Sequence, residues 1–136
     1  HEYLLMGNEC ITLAHDSRAA LANYDKALSL DPNYLDAWIR KGITLFNNKE
    51  YFDAENCFNI AVTLYPANFK AVYNRGKLRL KTENTEGAIA DLDKATSLKP
   101  EHAGAHELFG DALLKVGKEG EAALQWRIAE ELRKKK

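Results

Sequence analysis

The chain contains three prolines, Pro32, Pro66 and Pro100, and each lies 34 residues from the next. A proline lacks an amide hydrogen and clashes with the preceding turn of a helix, so each one marks an interruption. Other residues keep the same step. Ala20, Ala54, Ala88 and Ala122 share it, as do Ala27, Ala61, Ala95 and Ala129, and Leu30, Leu64, Leu98 and Leu132. A bulky series runs Tyr24, Phe58, Leu92 and Trp126. Gly42, Gly76 and Gly110 form another, with Gly7 one residue out of register. Self-similarity at a period of this length marks an array of small supersecondary units stacked on one another. Four steps account for all 136 residues, as units 1–34, 35–68, 69–102 and 103–136 of a single array.

Within a unit the apolar spacing is helical. Ala37, Trp38, Ile39, Gly42, Leu45 and Phe46 predict a first helix over 34–47. The polar stretch Asn47-Asn48-Lys49-Glu50 predicts a turn. Ala54, Cys57, Phe58, Ala61 and Leu64 then place a stripe on a second helix over 51–64, which Pro66 ends. The fold class is all-α, a solenoid of four antiparallel helix pairs. The first unit is one residue short between Gly7 and Ala20, which predicts a tightened turn around Ala14-His15-Asp16-Ser17. A single helix pair cannot bury its apolar face, so neighbouring units complete each core.

Composition removes several classes of function. Hydrophobic residues are 46% and charged residues 29%, an ordinary globular balance. No apolar run approaches the ~18–20 residues that span a bilayer, so no membrane contact is expected. No secretory leader is visible, and the start at His1 suggests a piece of a longer array. Nineteen basic against twenty acidic side chains give a net charge of −1, without the basic excess of a nucleic-acid binder. Cys10 and Cys57 form neither a disulfide framework nor a zinc cluster, and read as reduced core fillers, which favours the cytoplasm.

No constellation for catalysis assembles. A Gly-rich phosphate loop, a His-Glu-x-x-His helix and a Cys-x-x-Cys pair are all missing from the sequence. His102 and His106, flanked by Glu101 and Glu107, are the best metal candidates, but His102 follows the turn at Pro100 and the two read as an ordinary surface pair. The expectation is a non-enzyme with no catalytic residue, metal or cofactor.

Trp38-x-x-Lys41-Gly42-x-x-Leu45, then Ala54-x-x-x-Phe58-x-x-Ala61, then Pro66, resembles the tetratricopeptide repeat. Lys41 and Arg75 stand where that pattern commonly has leucine, and Arg79 where it has tyrosine. The resemblance implies a right-handed superhelix with a concave wall built from the first helix of each unit, and a groove that binds segments of other proteins. It implies a non-catalytic interaction scaffold. The positions carried over include Asn8 in the first unit, Arg40 and Ile43 in the second, Lys70, Asn74, Lys77 and Lys81 in the third, and Asp111 in the fourth, and Phe46 and Tyr73 flank them as apolar groove residues.

In the third unit Lys70, Asn74, Lys77 and Lys81 fall in a stripe about 60° wide at 100° per residue. Like charges so placed repel by a few tenths of a kcal/mol per adjacent pair. That face suits an acidic peptide with a few apolar anchors. Chaperone-tail clamps of the same family use a lysine and an asparagine, an asparagine, then a lysine and an arginine. Here those places hold Leu4, Asn8, Arg40, Lys70 and Asn74, a broken set in which Arg40 and Lys70 are left to grip one carboxylate. The alternative to peptide binding is self-association, a homo-oligomer through the last helix with Trp126 and Ile128 at its edge.

The small residues of the second helices explain how close the helices of a pair approach. Replacing Ala54 or Ala88 by leucine is expected to overpack that contact and cost roughly 1–3 kcal/mol, read as a lower melting temperature.

Overall fold

The computed structural model describes residues 9–135, with side chains from Ser17 onward. Seven α-helices and no strand make up the described residues: α1 (Glu9–Leu30), α2 (Leu35–Asn47), α3 (Tyr51–Leu64), α4 (Phe69–Lys81), α5 (Thr85–Leu98), α6 (Ala103–Lys115) and α7 (Glu119–Lys134). The first helices of the last three units start at 35, 69 and 103 and end at 47, 81 and 115, holding the 34-residue step to the residue. None of these helices is long and apolar enough to cross a membrane.

The turn inside each pair has one local cause. Lys49, Glu83 and Gly117 adopt φ of 66°, 68° and 83°, the left-handed region. The amides that follow donate back to the last turn of the helix: Glu50 to the Leu45 carbonyl at 2.8 Å, Asn84 to Arg79 at 2.8 Å and Lys118 to Leu113 at 3.0 Å. These are left-handed helix caps, which close the first helix and reverse the chain into the second. The first unit departs from this pattern. The turn expected at Ala14–Ser17 is absent, and α1 runs through it without a break. With one residue fewer in that stretch, the left-handed cap position is lost and the helix continues.

Packing follows the order of the chain. α2 packs on α3, α4 on α5 and α6 on α7, and each pair then stacks on the next through α3 against α4 and α5 against α6. First helices also meet directly, α2 with α4 and α4 with α6, while the second helices share no comparable packing. The first helices therefore form the inner layer of the solenoid. Within a pair the approach is very close. A Cβ on Gly42 would stand 2.5 Å from the Phe58 ring, and one on Gly110 2.6 Å from the Trp126 indole. Ala54, Ala61, Ala88, Ala95 and Ala122 are fully buried on the facing stripes.

The third unit holds a buried polar layer. Asp91 on α5, 5% exposed, receives Arg75 in two bonds of 2.9 and 3.0 Å and Arg79 in a third of 3.3 Å. Arg79 also donates to Glu55 at 3.0 Å and Arg75 to Asn59 at 3.1 Å, both on α3. Arg75 and Arg79, which replace the family's usual leucine and tyrosine, thus tie three helices together. In the second unit Lys41 instead reaches Asp25 on α1 at 2.7 Å.

Removing the shared acceptor strands two guanidinium groups that are themselves mostly covered. Asp91→Ala is expected to cost about 2–4 kcal/mol in urea unfolding, and the double variant Arg75→Leu, Asp91→Leu less than that single change.

Candidate functional site

The inner layer presents α2, α4 and α6 side by side, and their outward positions define the candidate groove. Asn8 lies outside the described residues. Arg40 is exposed and donates to Asp36 one turn earlier at 2.7 Å, so its charge is met by its own helix. Arg40 and Lys70 therefore do not stand as two equivalent free cations. Ile43 is half-buried and packs into the cores shared with α3. Phe46 lies 5.6 Å from the Tyr51 ring and 5.9 Å from the Lys77 ammonium.

On α4, Lys70, Lys77 and Lys81 are all exposed. Among the described residues none of the three meets a carboxylate within ion-pair distance. Asn74 donates back to the Lys70 carbonyl at 2.8 Å and adds no charge to the stripe. Tyr73 stacks on Phe69, centroids 5.2 Å apart, and is closed on its other side by His102 at 5.1 Å. Burial pushes its phenol pKa up.

The fourth unit contributes less than its positions suggested. Asp111 accepts the Trp126 indole N–H at 3.1 Å and is occupied inside its own pair. Lys115 bonds Glu83 at 3.3 Å across the units. Trp126 lies against the core of α5, α6 and α7, and Ile128 is half-buried on the last helix. Among the described residues no three His, Cys, Asp or Glu side chains converge as metal ligands. Cys57 is a buried thiol whose pKa burial raises to about 11, fitting its reading as a core filler.

The histidines correct the surface-pair reading. His106 is buried, with Nε2 donating to the Pro100 carbonyl at 2.8 Å and Nδ1 bonded to the Gln125 side-chain amide at 2.7 Å. It occupies the place of Trp38, whose indole donates to the Pro32 carbonyl at 2.7 Å. Pro100 lies two 34-residue steps from Pro32 and His106 the same two steps from Trp38, and that spacing carried the signal in the sequence. His102 caps α6: its Nδ1 accepts the Ala105 amide at 3.0 Å.

Two family profiles, each described as tetratricopeptide repeat, match residues 23–56 and 73–127. The chain belongs to the tetratricopeptide repeat family. This family mediates protein–protein interaction, and its members are in general non-catalytic scaffolds. A solved structure of MamA from Desulfovibrio magneticus RS-1 superposes with a TM-score of 0.81 at 30% identity, covering 93% of this chain and 72% of that one. YrrB, described as a tetratricopeptide protein with an unusual peptide-binding site, superposes at 0.78 with 27% identity, covering 91% and 64%. The human mitochondrial import receptor subunit TOM70 is 30% identical over 105 residues, 74% of this chain. The chain spans 16% of that receptor's length.

This tetratricopeptide array also carries a titrating cap. Burial, reinforced by the Lys99 charge, lowers the His102 pKa from its ordinary 6.5. The folded state thus favours the neutral imidazole more strongly than the unfolded chain does, which takes up a proton near 6.5. The stabilisation is complete above that value and declines as pH falls below it. Urea midpoints compared at roughly pH 7.5 and 5.5 should fall with acid in the wild type, and fall less in His102→Asn, which keeps the cap without the titration.

Proposed function

We propose that the chain is a non-catalytic scaffold that holds an acidic segment of a partner protein along the inner face of the array, chiefly on α4. The observation that carries this reading is the division of charge in the groove. Arg40 and Lys115 are each met by a carboxylate, at 2.7 and 3.3 Å, whereas Lys70, Lys77 and Lys81 lie along one exposed stripe without one. Three ammonium groups on one face, with no counter-charge among the described residues, favour an external one, and the Phe46 ring beside Lys77 supplies apolar contact next to it. A peptide that brings carboxylates would relieve the repulsion within the stripe and steer its own approach.

Self-association is the second reading. α7 packs chiefly on α6 among the described helices, and its Leu124 is 52% exposed. The edge would centre on Leu124 and Ile128, since Trp126 is engaged in the core of its own pair.

A random-peptide display library tests the first reading against a Lys70→Glu, Lys77→Glu, Lys81→Glu variant at low and high salt. Acidic peptides enriched by the wild type should bind the variant at least about tenfold more weakly, and lose affinity with salt. Equal enrichment by both proteins would mean that the lysines are a solvated face. Concentration-dependent sedimentation abolished by Leu124→Glu would favour self-association.

A further inference from the structure

A depression of about 460 Å³ opens at the edge of the inner face, between the first turns of α2 and α4 and the last residues of α5. Leu35, Ile39, Ala67, Phe69 and Leu98 line it together with the polar Asn68, Lys70 and Lys99. Asp36 also borders it, but that carboxylate is held by Arg40 at 2.7 Å. Lys99 is exposed, meets no carboxylate within ion-pair distance among the described residues, and sits 5.1 Å from the centre of the Phe69 ring. A hollow that combines these aliphatic and aromatic side chains with two unneutralised ammonium groups suits an aliphatic side chain followed closely by carboxylates.

We propose that this depression is an anchor subsite for a partner segment in which an aliphatic residue is flanked by acidic ones, with the apolar side chain seated between α2, α4 and α5 and its neighbouring carboxylates on Lys70 and Lys99. The inference rests on the peptide-binding reading above and adds a residue type and a register to it. Lys70 belongs both to the stripe on α4 and to this depression, so an acidic segment entering from Lys81 and Lys77 would end on the hollow. Lys99 directly follows the second helix of the third unit and replaces the contribution expected of Arg40, which its own helix already satisfies. Burial of a leucine side chain in such a hollow supplies affinity that charge alone does not, and makes it less dependent on salt.

The test is a nuclear magnetic resonance titration of the full chain with three capped peptides: Gly-Leu-Glu-Glu-Gly, the same peptide with serine for leucine, and the same with glutamine for both glutamates. The proposal expects the first to shift the amides of Leu35, Ile39, Lys70 and Lys99, and the other two to bind about tenfold more weakly or worse. Lys99→Glu, an exposed change, should weaken the first peptide by a similar factor, while Lys118→Glu, the same charge change at the opposite edge, should leave it unaltered. Shifts confined to the Lys77–Lys81 end of α4 would overturn the subsite and leave the peptide-binding reading standing. Binding at the depression that ignores Lys99→Glu, or no shift with any peptide, would overturn the subsite as well, and the library selection then judges the groove by itself.

Discussion

The structure depends on how closely the two helices of each pair can approach. Gly42 receives the edge of Phe58 and Gly110 the indole of Trp126, at separations that leave no room for a Cβ. Phe58 is buried to 1% exposure by this contact, which stabilises the fold by about 2–3 kcal/mol relative to an exposed ring. Each pair still leaves an apolar side uncovered, and the next pair closes it. The core of Leu45, Cys57, Phe58 and Leu78 draws on α2, α3 and α4, and that of Leu92, Phe109, Leu113 and Ala122 on α5, α6 and α7. No unit owns its core, so the array gains stability through its neighbours.

The third unit shows what happens when that apolar rule is relaxed. Its first helix, α4, carries five cations and no acid. The two arginines turn towards α3 and α5, where planar guanidinium groups bind Asp91, Glu55 and Asn59 at fixed angles. The three lysines turn the other way, where a strongly hydrated ammonium group costs little to keep exposed. The helix thus has a polar face turned into the core, which specifies its neighbours, and a basic face turned to the groove, which specifies none of them.

The inter-unit edge is where the prolines act beyond ending helices. Pro32 and Pro100 offer their carbonyls to Trp38 and His106, and the amides of Tyr34, Asn68 and His102 close equivalent turns at 3.1 Å onto Asp31, Tyr65 and Lys99. Repetition of this turn brings the starts of α2, α4 and α6 to one edge, together with the ends of α3 and α5. Lys99 and His102 reach the inner face only because of it. Neither lies on the first-helix stripe from which the groove positions were read.

The 34-residue step, the helical spacing within it and the placing of prolines, glycines and alanines were enough to determine an all-α array and the residues of its cores, because each of these is a local or strictly periodic requirement. The bounds of α2 through α7 and the lysine stripe on α4 were legible for the same reason. Three features were decided only by tertiary structure. α1 runs through the expected turn because the missing residue removes a left-handed cap, a backbone event with no side-chain signature. Asp91, Arg75 and Arg79 join across three helices, and Arg40 and Asp111 are neutralised or occupied at home; such pairings depend on side-chain direction and distance, which spacing along the chain does not encode. The hollow beneath Lys99 exists because segments from three helices meet at one edge, and a cavity belongs to the packing of elements rather than to any one of them.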